Sequence, residues 1–228
     1  MNICGLQKLT LLDFPGNTAC TVFTGGCNLR CPFCHNASLV KGRAPTMDKE
    51  ELFGFFKKRR GLLDGVCISG GEPLLQPDIK EFIKELRQIG YKIKLDTNGT
   101  YPNILCSLLE EGLLDYVAVD LKNSPALYGK TVGKEDFDFE LIAKTMEVLR
   151  AGKVPYEYRT TVVKPLHSIE SLKDLGKLIA SDEPWFLQQF IDSGDILGEG
   201  LSPFSPDEMR AFAEELKAAN PSVSLRGL

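Results

Sequence analysis

The sequence contains no long apolar run. No stretch of its 228 residues approaches the roughly 20 apolar residues that a membrane-spanning helix needs. The opening segment MNICGLQKLTLLDFPG lacks a charged region followed by a long apolar core, so no secretory signal peptide is predicted. These two absences predict a protein of the cytoplasm, where thiols stay reduced, with no membrane partner.

Positive charge is also scarce. The chain has 27 Lys and Arg against 31 Asp and Glu, which gives a formal net charge of −4. A protein that binds nucleic acid nonspecifically needs a basic surface against the phosphates, so no nucleic-acid partner is predicted. No G-x-G-x-x-G run follows a predicted strand, so the sequence has no dinucleotide-binding fingerprint either.

A disulfide framework is not expected. The chain has 7 cysteines, an odd number that cannot pair completely, and a reducing compartment favours metal ligands and buried thiols over disulfides. Three of the cysteines fall in apolar strand or helix patterns and are expected to be buried: Cys20, Cys67 and Cys106.

Short β-rich runs alternate with longer helical patterns, and this alternation predicts six βα units. The predicted strands are Ala19–Phe23, Gly65–Ser69, Tyr91–Leu95, Tyr116–Leu121, Tyr156–Val163 and Trp185–Phe190. The helical patterns that follow them are Met47–Arg60, Pro77–Ile89, Pro102–Glu111, Phe139–Arg150, Ser168–Ala180 and Pro206–Ala219. Such a succession predicts an α/β fold with a parallel sheet inside a layer of helices.

Right-handed crossovers would curl six such units into an open, partial (β/α)6 TIM-like barrel, because a complete barrel of eight units needs about 250 residues. We expect one domain over residues 1–228, with Thr46 and Ser205 as N-caps of the first and last helices. Asn123–Asp138 and Ser193–Ser205 are predicted to be loops, and the final run SVSLR is a candidate for an extra strand.

Polar motifs follow the predicted strands. CNLRCPFCHN comes after the first strand, GGEP after the second, DTNG after the third and DLK at the end of the fourth. The carboxyl ends of parallel strands in a barrel meet at one common face, where such folds place their chemistry. We therefore expect these four motifs to contribute to one site.

The motif CNLRCPFCHN holds three cysteines within eight positions: Cys27, Cys31 and Cys34. Thiolates bind zinc and the iron of iron–sulfur clusters. Three thiolates on a four-iron cluster leave one iron open to a substrate or cofactor, which is the logic that distinguishes a catalytic from a structural metal site. A zinc site that adds His35 is the competing chemistry, and three buried thiols without a metal are a further alternative.

The spacing C-x-x-x-C-x-aromatic-C, with Phe33 as the aromatic residue, resembles the signature of the radical S-adenosylmethionine (SAM) enzymes. The run Gly70-Gly71-Glu72-Pro73 after the second strand strengthens this resemblance. The segments DFPG, CHN, DTNG and DLK resemble the glycyl-radical-enzyme activases. GLQKLTLLDFPG followed by CTVFTGGCNLRCPFCHN is most similar to the anaerobic ribonucleoside-triphosphate reductase activating proteins, and the similarity covers nearly the whole chain.

The resemblance implies a [4Fe–4S] cluster on Cys27, Cys31 and Cys34. SAM would bind the open iron and would be cleaved to methionine and a 5′-deoxyadenosyl radical when an electron enters the cluster. The radical would then take a hydrogen atom from a glycine of the partner enzyme, which the resemblance implies is anaerobic ribonucleoside-triphosphate reductase. A flavodoxin or a ferredoxin-type protein would supply the electron.

The resemblance also assigns residues to SAM. The backbone of Gly70, Gly71 and Glu72 would meet its amino group, and Phe33 would lie near its adenine. The residues expected to contact its nucleoside or carboxylate are Asp120, Lys122, Asn98 and Arg159; a salt bridge inside the barrel is an alternative role for Arg159. Some activases carry a late histidine near SAM, whereas this chain reads WFLQQFIDSG. Gln188, Gln189 or Asp192 could replace it, or the contact could be absent.

Two rival functions stay open on the sequence. One is a radical SAM enzyme that acts on a small molecule; such enzymes often carry extra domains or auxiliary clusters, and no cysteine lies between Cys34 and Cys67 to hold one. The other is a zinc or iron–sulfur module without catalysis, which would have no use for GGEP at the end of a strand.

Overall fold

The protein is described by a computed structural model that covers residues 1–152 and 154–228. The backbone forms two compact units. The first consists of Met1–Asn28, Ser38–Ala118 and Leu141–Tyr156; the second consists of Leu29–Ala37, Val119–Glu140 and Glu157–Leu228. The motif CNLRCPFCHN is therefore divided between them, with Cys27 in the first unit. The single domain expected from the sequence stays a prediction.

The described residues form nine strands and eight α-helices. The strands are β1 (Ile3–Thr10), β2 (Ala19–Thr24), β3 (Gly65–Gly70), β4 (Lys92–Thr97), β5 (Tyr116–Asp120), β6 (Tyr156–Lys164), β7 (Trp185–Gln189), β8 (Ser202–Pro203) and β9 (Val223–Arg226). The helices are α1 (Ala37–Val40), α2 (Lys49–Arg59), α3 (Ile79–Ile89), α4 (Pro102–Glu110), α5 (Pro125–Val132), α6 (Glu140–Ala151), α7 (Ile169–Gly176) and α8 (Pro206–Lys217), with a 3-10 turn at Pro73–Leu75. All six predicted strands and all six predicted helices are present, with ends shifted by a few residues.

The sheet of the first unit is parallel except at one edge. β2 pairs in parallel with β3, and β3 pairs in parallel with β4, so their carboxyl ends point the same way. β1 runs antiparallel to β2 and was not predicted. Only Ile3 and Thr10, at its two ends, are buried, which explains why this strand carries no clear alternation of apolar and polar residues.

Aromatic side chains hold helices α2 and α3 together in the first unit. The Phe53 ring meets the Phe56 ring at a centroid distance of 5.5 Å and the Phe82 ring at 5.6 Å, in edge-to-face geometry. The Tyr91 hydroxyl donates a hydrogen bond to the carbonyl oxygen of Phe56 at 2.7 Å. These contacts hold the two helices together and tie α2 to the residue that precedes β4.

Helix α2 begins later than the sequence predicted. Its N-cap is Asp48 rather than Thr46, because the Asp48 carboxylate accepts a hydrogen bond from the backbone N–H of Glu51 at 2.9 Å. The predicted cap of the last helix is confirmed: Ser205 Oγ accepts from the backbone N–H of Glu208, and the Glu208 carboxylate accepts from the backbone N–H of Ser205.

The second unit contains a parallel set of strands of its own. β6 pairs with β7 and β7 with β9, both in parallel, while the two-residue β8 runs antiparallel to β6. The extra strand proposed for SVSLR is thus confirmed as β9. Trp185 is fully buried at the start of β7, and its indole N–H donates to Thr160 Oγ1 at 3.0 Å.

A helix lies inside the segment that the sequence assigned to a long loop. Helix α5 begins after Ser124, has Pro125 in its first turn and ends at Gly133, whose φ of +67° places it in the left-handed region. Serine, proline and glycine at these positions are ordinary start and stop signals, so the helix was available from the sequence. The loop prediction for Asn123–Asp138 was wrong on this point.

All seven cysteines are thiols. Cys20 and Cys67 are fully buried on β2 and β3, as predicted. The prediction for Cys106 was wrong: it lies on a partly exposed face of α4, with its Sγ 3.6 Å from Glu110 Oε1. The helix is amphipathic, and Leu105 and Leu108 rather than Cys106 face its buried side.

A buried ion pair in the second unit gives a first prediction. Arg226 donates to both carboxylate oxygens of Glu157 at 2.7 Å, and the side chain of Glu157 is only 1% exposed. The change Arg226→Met removes the guanidinium from a buried carboxylate. We expect the free energy of unfolding to fall by about 3 kcal/mol in urea denaturation.

The matched control is Arg210→Met, which breaks an exposed pair with Asp207 on α8. Exposed pairs contribute about 0–1 kcal/mol, so this variant should unfold close to the wild type. Equal losses in the two variants would contradict the account of the Glu157–Arg226 pair.

Candidate cofactor site

The first unit brings the ends of β2 and β3 into unusually close contact. The backbone N–H of Gly71 donates to Thr24 O, and that of Glu72 donates to Gly26 O, each at 2.8 Å. A Cβ on Gly71 would lie 1.9 Å from Gly26 O, and Gly70 has a φ of +110°. Two glycines are therefore required at this strand end by packing and by backbone conformation.

The carboxylate of Glu72 joins this strand end to the next one. It is fully buried and accepts three hydrogen bonds, from Leu74 N at 3.0 Å, Thr97 Oγ1 at 2.8 Å and Asn98 N at 2.8 Å. Thr97 ends β4, and Asn98 follows it. The side chain of Glu72 thus holds the GGEP and DTNG segments in a fixed relation, which sequence reasoning did not anticipate.

Asn98 belongs to a closed ring of polar side chains beside Cys27. Asn98 Nδ2 donates to Asn28 Oδ1 at 3.0 Å, Asn28 Nδ2 donates to Thr100 Oγ1 at 2.9 Å, and Thr100 Oγ1 donates to Asn98 Oδ1 at 2.7 Å. Asn98 Nδ2 also lies 3.7 Å from Cys27 Sγ. Cys27, Asn98 and the glycine loop are therefore neighbours within one unit.

The second unit assembles a group of charges around Asp120 at the end of β5. Asp120 Oδ1 accepts from Arg159 Nε at 2.9 Å, and Asp120 Oδ2 accepts from Lys122 Nζ at 3.0 Å. The Lys122 ammonium also lies 5.8 Å from the centroid of the Phe33 ring, a cation–π distance. Four of the residues that the resemblance assigned to SAM thus lie together.

These contacts change the proton affinities of both partners. Burial alone would raise the pKa of Asp120, but the charges of Arg159 and Lys122 outweigh it and hold that pKa well below its usual range. Burial alone would lower the pKa of Lys122, but the charge of Asp120 outweighs it and holds that pKa above its usual range. All three groups are therefore ionised at neutral pH, and two cations face one carboxylate.

His167 contacts two members of this group, Lys122 and Phe33. One ring nitrogen, Nε2, lies 2.7 Å from Lys122 O, and the other contacts the backbone of Val163. The ring packs edge-on against Phe33 at 6.2 Å, and burial lowers the pKa of the imidazole. The contacts of His167 with both Lys122 and Phe33 were not predicted from the sequence.

Cys31 and Cys34 lie on a tight turn of the second unit. The backbone N–H of Cys34 donates to Cys31 O at 3.0 Å, and the N–H of Gly198 donates to Pro32 O at 2.8 Å. Burial raises the pKa of the Cys34 thiol, although the Lys122 charge and a hydrogen bond from the backbone of Asn36 act in the opposite direction. The turn is thus anchored on one side by the Gly198 loop.

The candidates for the missing late histidine have different surroundings. Gln188 lines a cavity of 320 Å³ together with Thr161 and His35. Gln189 donates to Phe204 O at 2.6 Å, and Asp192 accepts from Gly194 N in a surface turn. Their contacts with SAM stay predictions.

Donor chemistry is consistent with a cluster. Three thiols fall within eight residues of the sequence, and each would bind a different iron of a four-iron cluster. Within residues 1–152 and 154–228, no three Cys, His, Asp or Glu side chains converge on the position of a single metal ion.

Among the helices of those described residues, none is long and apolar enough to cross a membrane.

Sequence comparison identifies the family. A family model described as the Radical SAM superfamily matches residues 21–179. The chain belongs to the radical SAM superfamily. It is therefore a radical SAM enzyme, and its cofactors are those of the superfamily, a [4Fe–4S] cluster and SAM. The recognition, the enzyme class and the cofactors predicted from the sequence are confirmed at this level.

Individual relatives agree with this membership. A Methanocaldococcus jannaschii protein, provisionally named a glycyl-radical enzyme activating enzyme, is 32% identical over 82% of this chain and 79% of its own length. AdoMet-dependent heme synthase of Methanosarcina barkeri is 31% identical over 68% of this chain but only 45% of its own length.

A solved structure has the same fold. SuiB of Streptococcus suis, solved bound to the precursor peptide SuiA, superposes with a TM-score of 0.71 at 16% identity. The match covers 91% of this chain and 48% of SuiB, so the chain spans about half the length of that protein. The predicted fold class, an α/β partial barrel of the radical SAM type, is confirmed.

The close approach of Gly71 to Gly26 gives a second prediction. The change Gly71→Ala forces a methyl group into the Gly26 carbonyl, so a strand end must move. We expect the free energy of unfolding to fall by about 3 kcal/mol and the iron content after reconstitution to fall with it. Urea denaturation and iron analysis measure the two effects.

Gly54→Ala is the matched control. Gly54 lies inside α2, and a Cβ there would meet no other atom within 4 Å. This change should raise the free energy of unfolding by about 0.5–1 kcal/mol, because alanine loses less backbone entropy in a helix. A Gly71→Ala protein as stable as the Gly54→Ala protein would contradict the packing account.

The charges around Asp120 give a third prediction, on pH. A carboxylate whose pKa is lower in the folded state stabilises the fold above its unfolded pKa of about 3.9, and this contribution is lost as the pH falls toward the folded value. We expect Arg159→Met to be less stable than the wild type at pH 7, with a difference that shrinks below about pH 4. Urea unfolding curves from pH 7 downward measure it.

Lys177→Met is the control for this series, because Lys177 makes an exposed pair with Asp174 on the surface of the second unit. It should lie close to the wild type throughout the pH range. A stability difference for Arg159→Met that stays constant below pH 4 would show that Asp120 does not supply the pH dependence.

Proposed function

We propose that this chain is an activase that generates a glycyl radical on a partner enzyme. The observation that carries the proposal is the match to the M. jannaschii activating enzyme, which extends over 82% of this chain and 79% of that protein. The heme synthase match, by contrast, leaves more than half of that enzyme uncovered. The match to the M. jannaschii protein covers most of both chains, so it supports the activase proposal more than the heme synthase match supports that enzyme's activity.

In this proposal, Cys27, Cys31 and Cys34 hold the [4Fe–4S] cluster, whose chemistry when reduced is the cleavage of SAM. The turn at Cys31–Cys34 and the Gly25–Cys27 loop present the thiols from two short loops of the chain. Zinc bound by these cysteines and His35 stays the competing metal assignment, and a direct metal analysis separates the two.

The carbonyl groups at Gly70, Gly71 and Glu72 are proposed to accept hydrogen bonds from the amino group of SAM. An ammonium group only donates hydrogen bonds, so the backbone groups that suit it are carbonyl oxygens. The N–H groups of Gly71 and Glu72 donate to Thr24 O and Gly26 O and hold the segment in position. The hydrogen bonds from Gly71 and Glu72 to the end of β2 support the proposal, because they would keep these carbonyl oxygens in place.

Lys122 and Arg159 are proposed to bind the carboxylate of SAM, with Phe33 near its adenine and Asn98 at the edge of the pocket. Both cations bind the carboxylate of Asp120, and their positive charges would attract an anionic group. Asp120 would keep both cations oriented. The rival role for Arg159, a purely structural salt bridge, predicts no loss of SAM affinity when Arg159 is replaced.

The partner is proposed to be anaerobic ribonucleoside-triphosphate reductase. Support comes from the segments GLQKLTLLDFPG and CTVFTGGCNLRCPFCHN, which resemble the activating proteins of that enzyme. A flavodoxin or ferredoxin-type protein is the proposed electron donor, in the cytoplasm. A radical SAM enzyme for a small molecule is the alternative, and it predicts SAM cleavage without any radical on the reductase.

The deciding experiment gives a fourth prediction. The protein is reconstituted anaerobically with iron and sulfide, then given SAM, dithionite and the reductase. We expect 5′-deoxyadenosine by chromatography and a glycyl radical on the reductase by electron paramagnetic resonance. Cys31→Ala should reduce both signals to background, because a cluster ligand is lost.

Cys106→Ala is the matched control, since Cys106 is a partly exposed thiol on α4 that the proposal leaves unused. It should give wild-type yields. Deoxyadenosine without a glycyl radical would contradict the assigned partner, and one zinc per chain with no cluster would overturn the proposed function.

A further inference from the structure

The side-chain amide of Asn98 points its nitrogen at a proposed cluster ligand. Asn98 Nδ2 lies 3.7 Å from Cys27 Sγ, within the range of a hydrogen bond to sulfur, and 3.0 Å from Asn28 Oδ1. An amide nitrogen carries two hydrogens, so it can donate to both acceptors at once. Asn98 is 6% exposed, which keeps this contact largely away from water.

The orientation of the amide is determined by the backbone. Asn98 Oδ1 accepts a hydrogen bond from the main-chain N–H of Thr100 at 3.0 Å. A main-chain N–H can only donate, so the oxygen of the amide must face Thr100 and the nitrogen must face Cys27. A flipped amide would lose this bond and place two donors opposite each other.

The ring of Asn98, Asn28 and Thr100 holds the donor in place. Each member donates to the next, so the bonds polarise one another in the same sense. The backbone N–H of Asn98 is itself bound by the buried carboxylate of Glu72 at 2.8 Å. Both hydrogens and both lone pairs of the Asn98 amide are used, so these bonds determine the position of the donor.

We propose that Asn98 raises the reduction potential of the cluster by donating a hydrogen bond to the Cys27 thiolate. This inference rests on the cluster of the proposed function, but not on its partner. One electron from an external reductant enters the cluster, no bond forms or breaks, and the added negative charge spreads onto the sulfur ligands. A positive N–H dipole at one of these sulfurs stabilises the reduced form, and hydrogen bonds to sulfur are known to set such potentials.

The test variant is Asn98→Asp. Aspartate keeps an oxygen for the Thr100 N–H, but it replaces the donor beside Cys27 with a carboxylate oxygen. We expect the midpoint potential to become more negative, so that the ratio of reduced to oxidised cluster at a fixed potential falls at least tenfold, about 59 mV for a one-electron couple. The measurement is a dithionite titration of the reconstituted protein, followed by electron paramagnetic resonance, without SAM or partner.

Asn103→Asp is the control for net charge, because it makes the same change at an exposed position of α4. It should leave the potential unchanged. Thr100→Val opens the ring but keeps Asn98 and its backbone anchor, so a smaller shift in the same direction is expected. Iron and sulfide contents must match the wild type in every titrated sample.

Equal potentials in Asn98→Asp and Asn103→Asp would overturn the inference. Should Asn98→Asp fail to assemble a cluster, Thr100→Val decides, and an unshifted potential there would overturn it as well. Either result leaves the proposed activase function intact, because no activity is measured. A wild-type protein that holds no cluster would overturn the proposed function and this inference together.

Discussion

The arrangement of the candidate site in the first unit depends on the hydrogen bonds that the buried carboxylate of Glu72 accepts. It accepts hydrogen bonds from the start of its own turn and from two groups at the end of the next strand, Thr97 and Asn98. A charge buried this completely is tolerated only because its oxygens are bound. These bonds connect the Gly70–Glu72 segment with Thr97 and Asn98. Asn98 in turn contacts Cys27, so the position of Asn98 beside Cys27 depends on the side chain of Glu72.

In the second unit, ion pairs stabilise the carboxylate of Asp120 at the end of β5. Asp120 orients Lys122 and Arg159, and His167 binds the carbonyl of Lys122 while its ring packs against Phe33. The strong shift in the pKa of Asp120 follows from these neighbours. Both units therefore use a carboxylate at a strand end as an organising group, one through neutral donors and the other through cations.

Much of the fold could be predicted, because buried parallel strands and amphipathic helices leave periodic patterns. The errors lie where the pattern is weak. β1 buries only its two ends, and Asp48 instead of Thr46 caps α2 because its carboxylate reaches Glu51. Helix α5 was missed for another reason, because its segment was read as a polar loop although its start and stop signals are present. Cys106 was expected to be buried because it falls in a helical pattern, although its position on α4 is partly exposed. Local propensity does not decide which side of a helix meets the sheet.

The sequence by itself determined the family, the cofactors and the positions of the motifs at strand ends, because cysteine spacing and β–α alternation are local properties of the chain. Only the tertiary structure decided what the motif residues do to each other. Residues 72 and 98 are far apart in the chain, and their hydrogen bond exists because β3 and β4 are parallel neighbours. Likewise, the orientation of the Asn98 amide follows from its hydrogen bonds with Thr100 and Asn28. Sequence spacing alone does not predict these bonds.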